Sequence, residues 1–182
     1  KIEDLVKKFA PKVWLHSNEK YKMSSIDMFL NKTELKRWDA SGNREKLKDF
    51  GQVNSTNLPT DTNSEYFLDM GLNVDGSFDP PTSIKFGYQE FAKCYVHVQR
   101  SNVQNKPYLL DDIDIQYWFF YPFNGTAGWH EGDWEYVTVK LDSNGKFKKI
   151  WMSQHGDGEW YSESEISFEE ETHPIVYAAK ES

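Results

Sequence analysis

The fold is decided by residues 135–154, which read EYVTVKLDSNGKFKKIWMSQ. Glu135–Leu141 and Lys148–Gln154 are rich in β-branched and aromatic residues, which favour strands over helices. The Asn144-Gly145 pair lies between these segments and is a strong signal for the tight turn of a β-hairpin. The stretch therefore predicts two neighbouring antiparallel strands.

Other segments from residue 83 onward share this β-branched and aromatic character, namely Ser83–Gln89, Lys93–Gln99, Ile113–Tyr121 and Pro174–Ala178. Ile113–Tyr121 is nearly apolar on both faces after Gln116, which indicates a central strand that is buried on both sides. We expect this strand to end at Pro122. Several short strands with few long helices predict an antiparallel β-sandwich with short peripheral helices, built as a single domain over residues 1–182.

The N-terminal half is less regular. Ile2–Phe9 carries apolar residues at helical spacing, and Ile26–Leu30 reads as a second short helix. Residues 31–80 are polar and show little periodicity. We therefore expect irregular surface structure there, with short helices around Lys32–Trp38 and Arg44–Phe50.

Composition and charge exclude several classes of function. The net charge of −8 argues against a nucleic-acid partner and against electrostatic adsorption to anionic membranes. No apolar run reaches the roughly 18 residues of a transmembrane helix. Cys94 is the single cysteine, so no intrachain disulfide is possible, and its place in a strand-like segment predicts a buried small residue. The chain starts at Lys1 rather than at a methionine, so we expect a preceding segment to have been removed, and a secreted protein is slightly favoured.

The candidate functional motif lies directly before the hairpin, where residues 128–135 read GWHEGDWE. Alternate side chains of a strand share a face, so Asp133 and Glu135 are expected to point the same way. His130 precedes Asp133 by three residues across a glycine-flanked bend and can turn to the same side. One imidazole nitrogen and two carboxylates predict a divalent-cation site. The alternative is a solvated acidic turn.

Two neighbouring segments extend this prediction. Asn124 follows the apolar central strand, and its side-chain carbonyl could join the cation ligands; the alternative is a plain turn residue before Gly125. His155 follows the second strand of the hairpin and could bind the cation through water or support its ligands, or be a loop histidine without a role. Calcium or magnesium is favoured over zinc because zinc prefers several Cys and His ligands, and manganese also fits an oxygen-rich site.

Three aromatic residues close to the proposed cation site are candidates for direct ligand contact: Trp129, Trp160 and Tyr161. An aromatic side chain offers a large apolar surface, and Trp and Tyr add a polar group, so these residues could stack on a sugar or insert at a membrane interface. The alternative is ordinary packing. In a chain with 29 aromatic residues, seven Trp, ten Tyr and twelve Phe, that alternative applies to most of them.

Ordered segments across nearly the whole chain resemble the vacuolar protein sorting 62-like domain family. They are Phe9–His16, Glu19–Tyr21, Ser24-Ser25, Tyr117–Gly125, His130–Glu135, Ser153–Gly156 with Glu159-Trp160, and Pro174–Lys180. The pattern of that family usually continues past Ser182 into another His-containing segment. We therefore expect the domain to be incomplete at its C-terminal end.

The motif is also similar to the necrosis- and ethylene-inducing-peptide-like cytolysins, which carry Gly-His-Arg-His-Asp-Trp-Glu after a Tyr-Phe-Pro-x-Asp strand end. The resemblance matches their first His to His130, their Asp to Asp133 and their Glu to Glu135. In those β-sandwich toxins the corresponding residues surround a divalent cation that helps to bind glycosphingolipid head groups. Asn124 stands where the toxins have a carboxylate, and Gly132 replaces their second His, so the resemblance implies a weaker cation site.

Three functions remain open from the sequence. The first is a non-enzymatic module that binds a divalent cation and recognises a glycan or lipid head group, as part of a toxin or another membrane-acting protein. The second is a metal-dependent hydrolase, with Glu135 or Glu131 as the base and His155 as the acid. The third is a trafficking scaffold without a ligand, in which the motif is structural.

Overall fold

The computed structural model describes residues 1–61, 65–71, 85–101, 112–125, 130–154 and 157–178. These described residues include two short helices, α1 (Ile2–Lys8) and α2 (Ile26–Asn31). The strands are β1 (Lys12–Trp14), β2 (Glu34–Trp38), β3 (Arg44–Lys48), β4 (Tyr66–Asp69), β5 (Cys94–Ser101), β6 (Asp112–Asn124), β7 (His130–Leu141), β8 (Phe147–Gln154), β9 (Asp157–Ser162), β10 (Phe168–Glu169) and β11 (His173–Tyr177). Single 3-10 turns cover Gln89–Phe91 and Glu163–Glu165.

The predicted fold class is confirmed, because the chain is mainly β, with antiparallel sheets and few short helices. The chain divides into two compact units. Unit 1 comprises Lys1–Glu19, Cys94–Phe119 and Trp134–Lys180, and unit 2 comprises Lys20–Lys93, Phe120–Asp133 and Glu181–Ser182. No helix within the described residues is both long and apolar enough to cross a bilayer.

Unit 1 is built on a five-stranded sheet with the order β5-β6-β7-β8-β9. The β7–β8 hairpin is confirmed, since Val139 pairs with Ile150 and the Asp142 carboxylate accepts hydrogen bonds from the backbone N–H groups of Asn144 and Lys146. On one face of the sheet, strands β6, β7 and β8 bury apolar side chains, namely Ile115, Tyr117, Val137, Val139, Leu141 and Ile150. Alternation along the strands therefore places the intervening side chains on the opposite face.

The other elements of unit 1 contact this buried face. The Tyr117 hydroxyl donates to the Val6 carbonyl of α1 at 2.8 Å, and the Phe9 ring lies 6.2 Å from the Phe147 ring. A second small sheet has the order β1-β11-β10, in which β1 and β11 are parallel and β10 and β11 antiparallel. Its Val176 is also buried.

Unit 2 contains a three-stranded antiparallel sheet with the order β3-β2-β4 and helix α2. The Ser25 hydroxyl caps α2 by accepting the backbone N–H of Met28 at 3.2 Å. Among the described residues of unit 2, buried apolar side chains form two clusters. One contains Phe29, Met70, Phe120 and Phe123, and the other contains Leu30, Leu35 and Val53.

Two predictions of secondary structure were wrong. The expected short helices at Lys32–Trp38 and Arg44–Phe50 are the paired strands β2 and β3. These strands lack a hydrophobic alternation because charged pairs hold them together, for example Lys36 with Asp69 on β4. The expected strand Ser83–Gln89 is not one over residues 85–89, which form a turn leading into a 3-10 helix.

Two predictions about single residues were also wrong. Strand β6 continues through Pro122 to Asn124. Its pairing with β5 ends at Phe119, so the missing N–H of Pro122 removes no hydrogen bond to β5. Cys94 is exposed rather than buried, because it begins β5, which lies at the edge of the five-stranded sheet.

Candidate functional site

Asp133 lies between an amide and an imidazole in unit 2. The Asn124 side chain donates from Nδ2 to Oδ2 of Asp133 at 3.1 Å, and Nε2 of His130 lies 3.6 Å from Oδ1. The side chain of His130 is 48% exposed and that of Asp133 is 20% exposed, so solutes can reach the imidazole more readily than the carboxylate. The structure therefore brings together Asn124, His130 and Asp133.

Glycines shape the backbone on both sides of this group. Gly132 separates Glu131 from Asp133 and has φ of +73°, a conformation that side-chain-bearing residues rarely adopt. Strict alternation would place both acids in the same surroundings, but the left-handed residue between them sends the two carboxylates to different partners. Gly125 follows Asn124, and a Cβ atom there would overlap the Tyr21 hydroxyl. The ring of Tyr21 in turn packs on Phe123 at 5.5 Å.

Glu131 serves the interior of unit 2. Its Oε2 accepts the backbone N–H of Met70 at 2.7 Å. Burial raises the pKa of Glu131 to about 7, and the nearby Asp69 adds to the rise, while the hydrogen bond from Met70 and the charge of Lys36 oppose it. The carboxylate of Glu131 thus satisfies a backbone donor directly after strand β4.

Glu135 belongs to unit 1 and contacts β8. Its Oε2 lies 3.3 Å from the hydroxyl of Ser153, which is also 2.8 Å from the carbonyl oxygen of Tyr136. The hydroxyl therefore bridges the backbone and the carboxylate at this end of the hairpin. In the part of the chain that the structure describes, no group of three or more His, Cys, Asp or Glu residues could hold a metal ion.

Two of the three aromatic candidates for ligand contact, Trp160 and Tyr161, lie on opposite sides of strand β9. Trp160 on β9 is 38% exposed, packs edge-on against Trp151 at 5.6 Å, and has Lys149 Nζ 4.3 Å from its ring centroid. Tyr161, the next residue, falls on the opposite side of the strand by alternation, and its hydroxyl donates to Glu159 at 3.1 Å. His155 and Trp129 lie outside the described residues.

Two contacts around the motif could not be found from sequence reasoning. Met70, the partner of Glu131, is 61 positions away along the chain, and Tyr21 precedes Gly125 by 104 positions (125 − 21). The one available signal was Gly125 itself, since glycine after a strand is typical where another group approaches the backbone closely.

Comparison with known proteins places the chain in a family. No curated protein and no solved structure matches the sequence significantly. A family model described as vacuolar protein sorting-associated protein 62 matches residues 1–182, the full length given. This match covers the mainly β units described above, including Asn124, His130, Glu131, Asp133 and Glu135. The chain therefore belongs to the vacuolar protein sorting-associated protein 62 family.

Proposed function

We propose that the chain is a divalent-cation-binding module that recognises a glycan or a lipid head group and belongs to a membrane-acting protein such as a toxin. The observation that carries the proposal is the position of Asp133, whose two carboxylate oxygens face Nδ2 of Asn124 at 3.1 Å and Nε2 of His130 at 3.6 Å. The similarity of His130–Glu135 to the cytolysin motif points to the same residues.

The donor chemistry of this group suits a cation. Asp133 supplies carboxylate oxygens and His130 supplies an imidazole nitrogen. The Asn124 amide now donates an N–H to Asp133, and a half-turn about its last torsion would present the carbonyl oxygen in place of that N–H. Calcium and magnesium favour such oxygen donors, and manganese also accepts an imidazole.

The charge of the group favours a binding role over a purely structural metal. Asp133 is the one formal negative charge among the three side chains of this group. The carboxyl group of Glu131 does not add to it, because that group is hydrogen-bonded to the backbone of Met70. Calcium takes about six to eight oxygen ligands, so a cation held by three side chains keeps several positions for other oxygens. Sugar hydroxyls or phosphate oxygens can fill those positions, which couples cation binding to head-group recognition.

Calorimetric titration tests this proposal. Calcium, magnesium and manganese would be titrated separately into EDTA-treated and dialysed protein, with Asp133→Asn as the test variant. Asp27→Asn is the matched control, because Asp27 also lies in unit 2 and forms an exposed ion pair with Lys93. We expect saturable binding by wild type and by the control, and its loss in Asp133→Asn. The absence of saturable binding of all three ions to folded wild-type protein would overturn the proposal and leave the scaffold function.

A second candidate, the metal-dependent hydrolase, draws support from one observation. The pKa of Glu131 is raised by burial to about 7, within the range in which a carboxyl group can act as an acid or base at neutral pH. Glu131→Gln keeps an acceptor for the Met70 N–H but removes the titrating group. Loss of cation-dependent hydrolysis in a folded Glu131→Gln protein would favour the hydrolase. Equal turnover by both proteins would remove Glu131 from any such role.

A further inference from the structure

The face of the five-stranded sheet opposite the buried apolar core carries an aromatic side chain on every strand. We define this aromatic face by Tyr95 on β5, Trp118 on β6, Trp134 and Tyr136 on β7, Trp151 on β8 and Trp160 on β9. Register supports the assignment, because Tyr95 pairs with Trp118 and Trp151 pairs with Trp160 across neighbouring strands. All six residues belong to unit 1.

The rings contact one another in two groups. Trp118 stacks on Tyr136 with centroids 4.4 Å apart and meets Trp134 edge-on at 6.3 Å, while Tyr95 meets Trp134 at 5.4 Å. Trp151 and Trp160 form the second group on β8 and β9. Such contacts fix the ring orientations, so the surface is organised before any ligand arrives.

This surface is unusual for the outer side of an antiparallel sheet, where polar residues normally alternate with buried apolar ones. Trp134 on the central strand β7 is 42% exposed, and Trp160 on the edge strand β9 is 38% exposed. Contiguous exposed apolar surface marks a binding site more often than isolated exposed residues do. The polar residues Gln116 and His97 lie on the same face, next to the pair of Trp118 and Tyr95, and they hydrogen-bond to each other at 3.2 Å.

The charges of the aromatic face decide which ligand fits. Lys140 forms an ion pair with Asp114 at 2.6 Å, so those two charges compensate each other. Lys149 lies over the Trp160 ring and has no ion-pair partner among the residues that the structure describes. The face therefore offers aromatic rings beside an ammonium group, which complements a ligand with apolar C–H surfaces and a negative charge.

We propose that the aromatic face binds an acidic oligosaccharide, one whose hexose rings carry carboxylates. The C–H groups of a sugar ring carry partial positive charge and suit the negative face of an indole, while the carboxylate suits Lys149. Neighbouring strands are about 4.8 Å apart, close to the length of one hexose unit, so successive sugars can meet successive strands. The inference is independent of the cation group, which lies in unit 2.

Binding would be measured by tryptophan fluorescence and by calorimetry with two probes, a hexamer of galacturonic acid and a β-linked hexamer of glucose. EDTA is present throughout, so that binding through a cation does not contribute. We expect the acidic hexamer to bind more tightly than the neutral one, with an affinity that falls as salt concentration rises.

The variants separate the rings from the charge. Trp160→Ala should weaken binding of the acidic hexamer at least about tenfold, or roughly 1.4 kcal/mol. Lys149→Met should remove the preference over the neutral hexamer, and Lys149→Arg should keep it. Trp14→Ala is the matched control, because Trp14 is an exposed tryptophan of unit 1 on strand β1. Circular dichroism checks that each variant is folded.

Three outcomes would overturn the proposal. The first is no binding of the acidic hexamer to wild-type protein at millimolar concentration. The second is equal binding by wild type and a folded Trp160→Ala variant. The third is a wild-type dimer, seen by analytical ultracentrifugation, that Trp160→Ala dissociates, because the face would then be occupied by a second copy of the chain. Retained binding in EDTA together with failed cation titrations would support this site while refuting the cation-dependent function.

Discussion

The five-stranded sheet of unit 1 and the three-stranded sheet of unit 2 differ in the side chains that stabilise them. The first buries aliphatic side chains such as Val139 and Ile150, both fully inaccessible to solvent. The second places Lys36 between Glu34 at 2.8 Å and Asp69 at 2.7 Å. Apolar burial has no charge for sodium chloride to screen or for pH to titrate, whereas partly buried ion pairs respond to both. The two sheets should therefore lose stability under different conditions.

The largest expected effect comes from the apolar sheet. Ile150→Ala should lower the free energy of unfolding by about 3 kcal/mol, because it removes buried methylene groups and leaves a cavity beside Val139. Urea denaturation measures the loss, and Ile150→Val should lose about 1 kcal/mol. Both losses should be the same at low and high salt. A loss that shrinks with added salt would contradict the apolar description of this sheet.

The charged sheet is tested by Lys36→Met, which leaves the carboxylates of Glu34 and Asp69 without their shared cation. We expect a loss of about 2 kcal/mol, between the values for exposed and fully buried pairs, and a smaller loss at high salt. Arg37→Ala is the control, because its pair with Glu45 is exposed and should contribute much less to stability than the ion pairs of Lys36. Equal losses in the two variants would show that the ion pairs of Lys36 contribute no more to stability than an exposed pair does.

Glu131, a buried acid of unit 2, should make the stability of the chain depend on pH. Its pKa is raised from 4.5 to about 7, so the folded chain favours the protonated form. The folded state then binds more protons than the unfolded state between these values, and stability should fall as pH rises from about 4.5 to about 7. Glu131→Gln, which keeps an acceptor for the Met70 N–H, should flatten that slope when chelator is present. An unchanged slope would assign the pH dependence to other groups.

The smallest effect is expected at Gly132. Gly132→Ala should lose about 1 kcal/mol, because φ of +73° is unfavourable for alanine while the space around a Cβ atom is ordinary. Gly42→Ala is the matched control, with φ of +79° and open space. Both variants should lose similar stability in urea, but Gly132→Ala alone should weaken cation binding by moving Asp133. Equal cation affinities would show that the turn at Gly132 does not position that carboxylate.

The same physical difference explains which parts of the fold were predictable. The hairpin follows from β-branched residues on both sides of Asn144-Gly145, a local pattern that tertiary contacts merely reinforce. Strands β2 and β3 carry charged residues at most positions, so their pairing depends on partners on other strands, such as Asp69 for Lys36. When contacts with neighbouring strands determine that a segment is a strand, its own sequence need not show a hydrophobic alternation.

The candidate site shows the same limit. The three-residue spacing of His130 and Asp133 was sufficient to predict their approach, and Asn124 follows from its position directly after the apolar part of β6. The diversion of Glu131 to Met70 was not predictable, because it depends on the backbone conformation of Gly132 and on a donor 61 residues away. Alternation alone would have counted Glu131 among the groups near Asp133.

The edge-on pair of Trp151 and Trp160 also has an optical consequence. Their indole rings lie 5.6 Å apart with an angle of 64° between their planes. Electronic transitions of two close and non-parallel chromophores couple, and the coupling splits their absorption into bands of opposite circular dichroism. Substitution of either ring should abolish that signal, and a molecule that reorients Trp160 should change it. The sheet thus contains its own spectroscopic reporter, which requires no label.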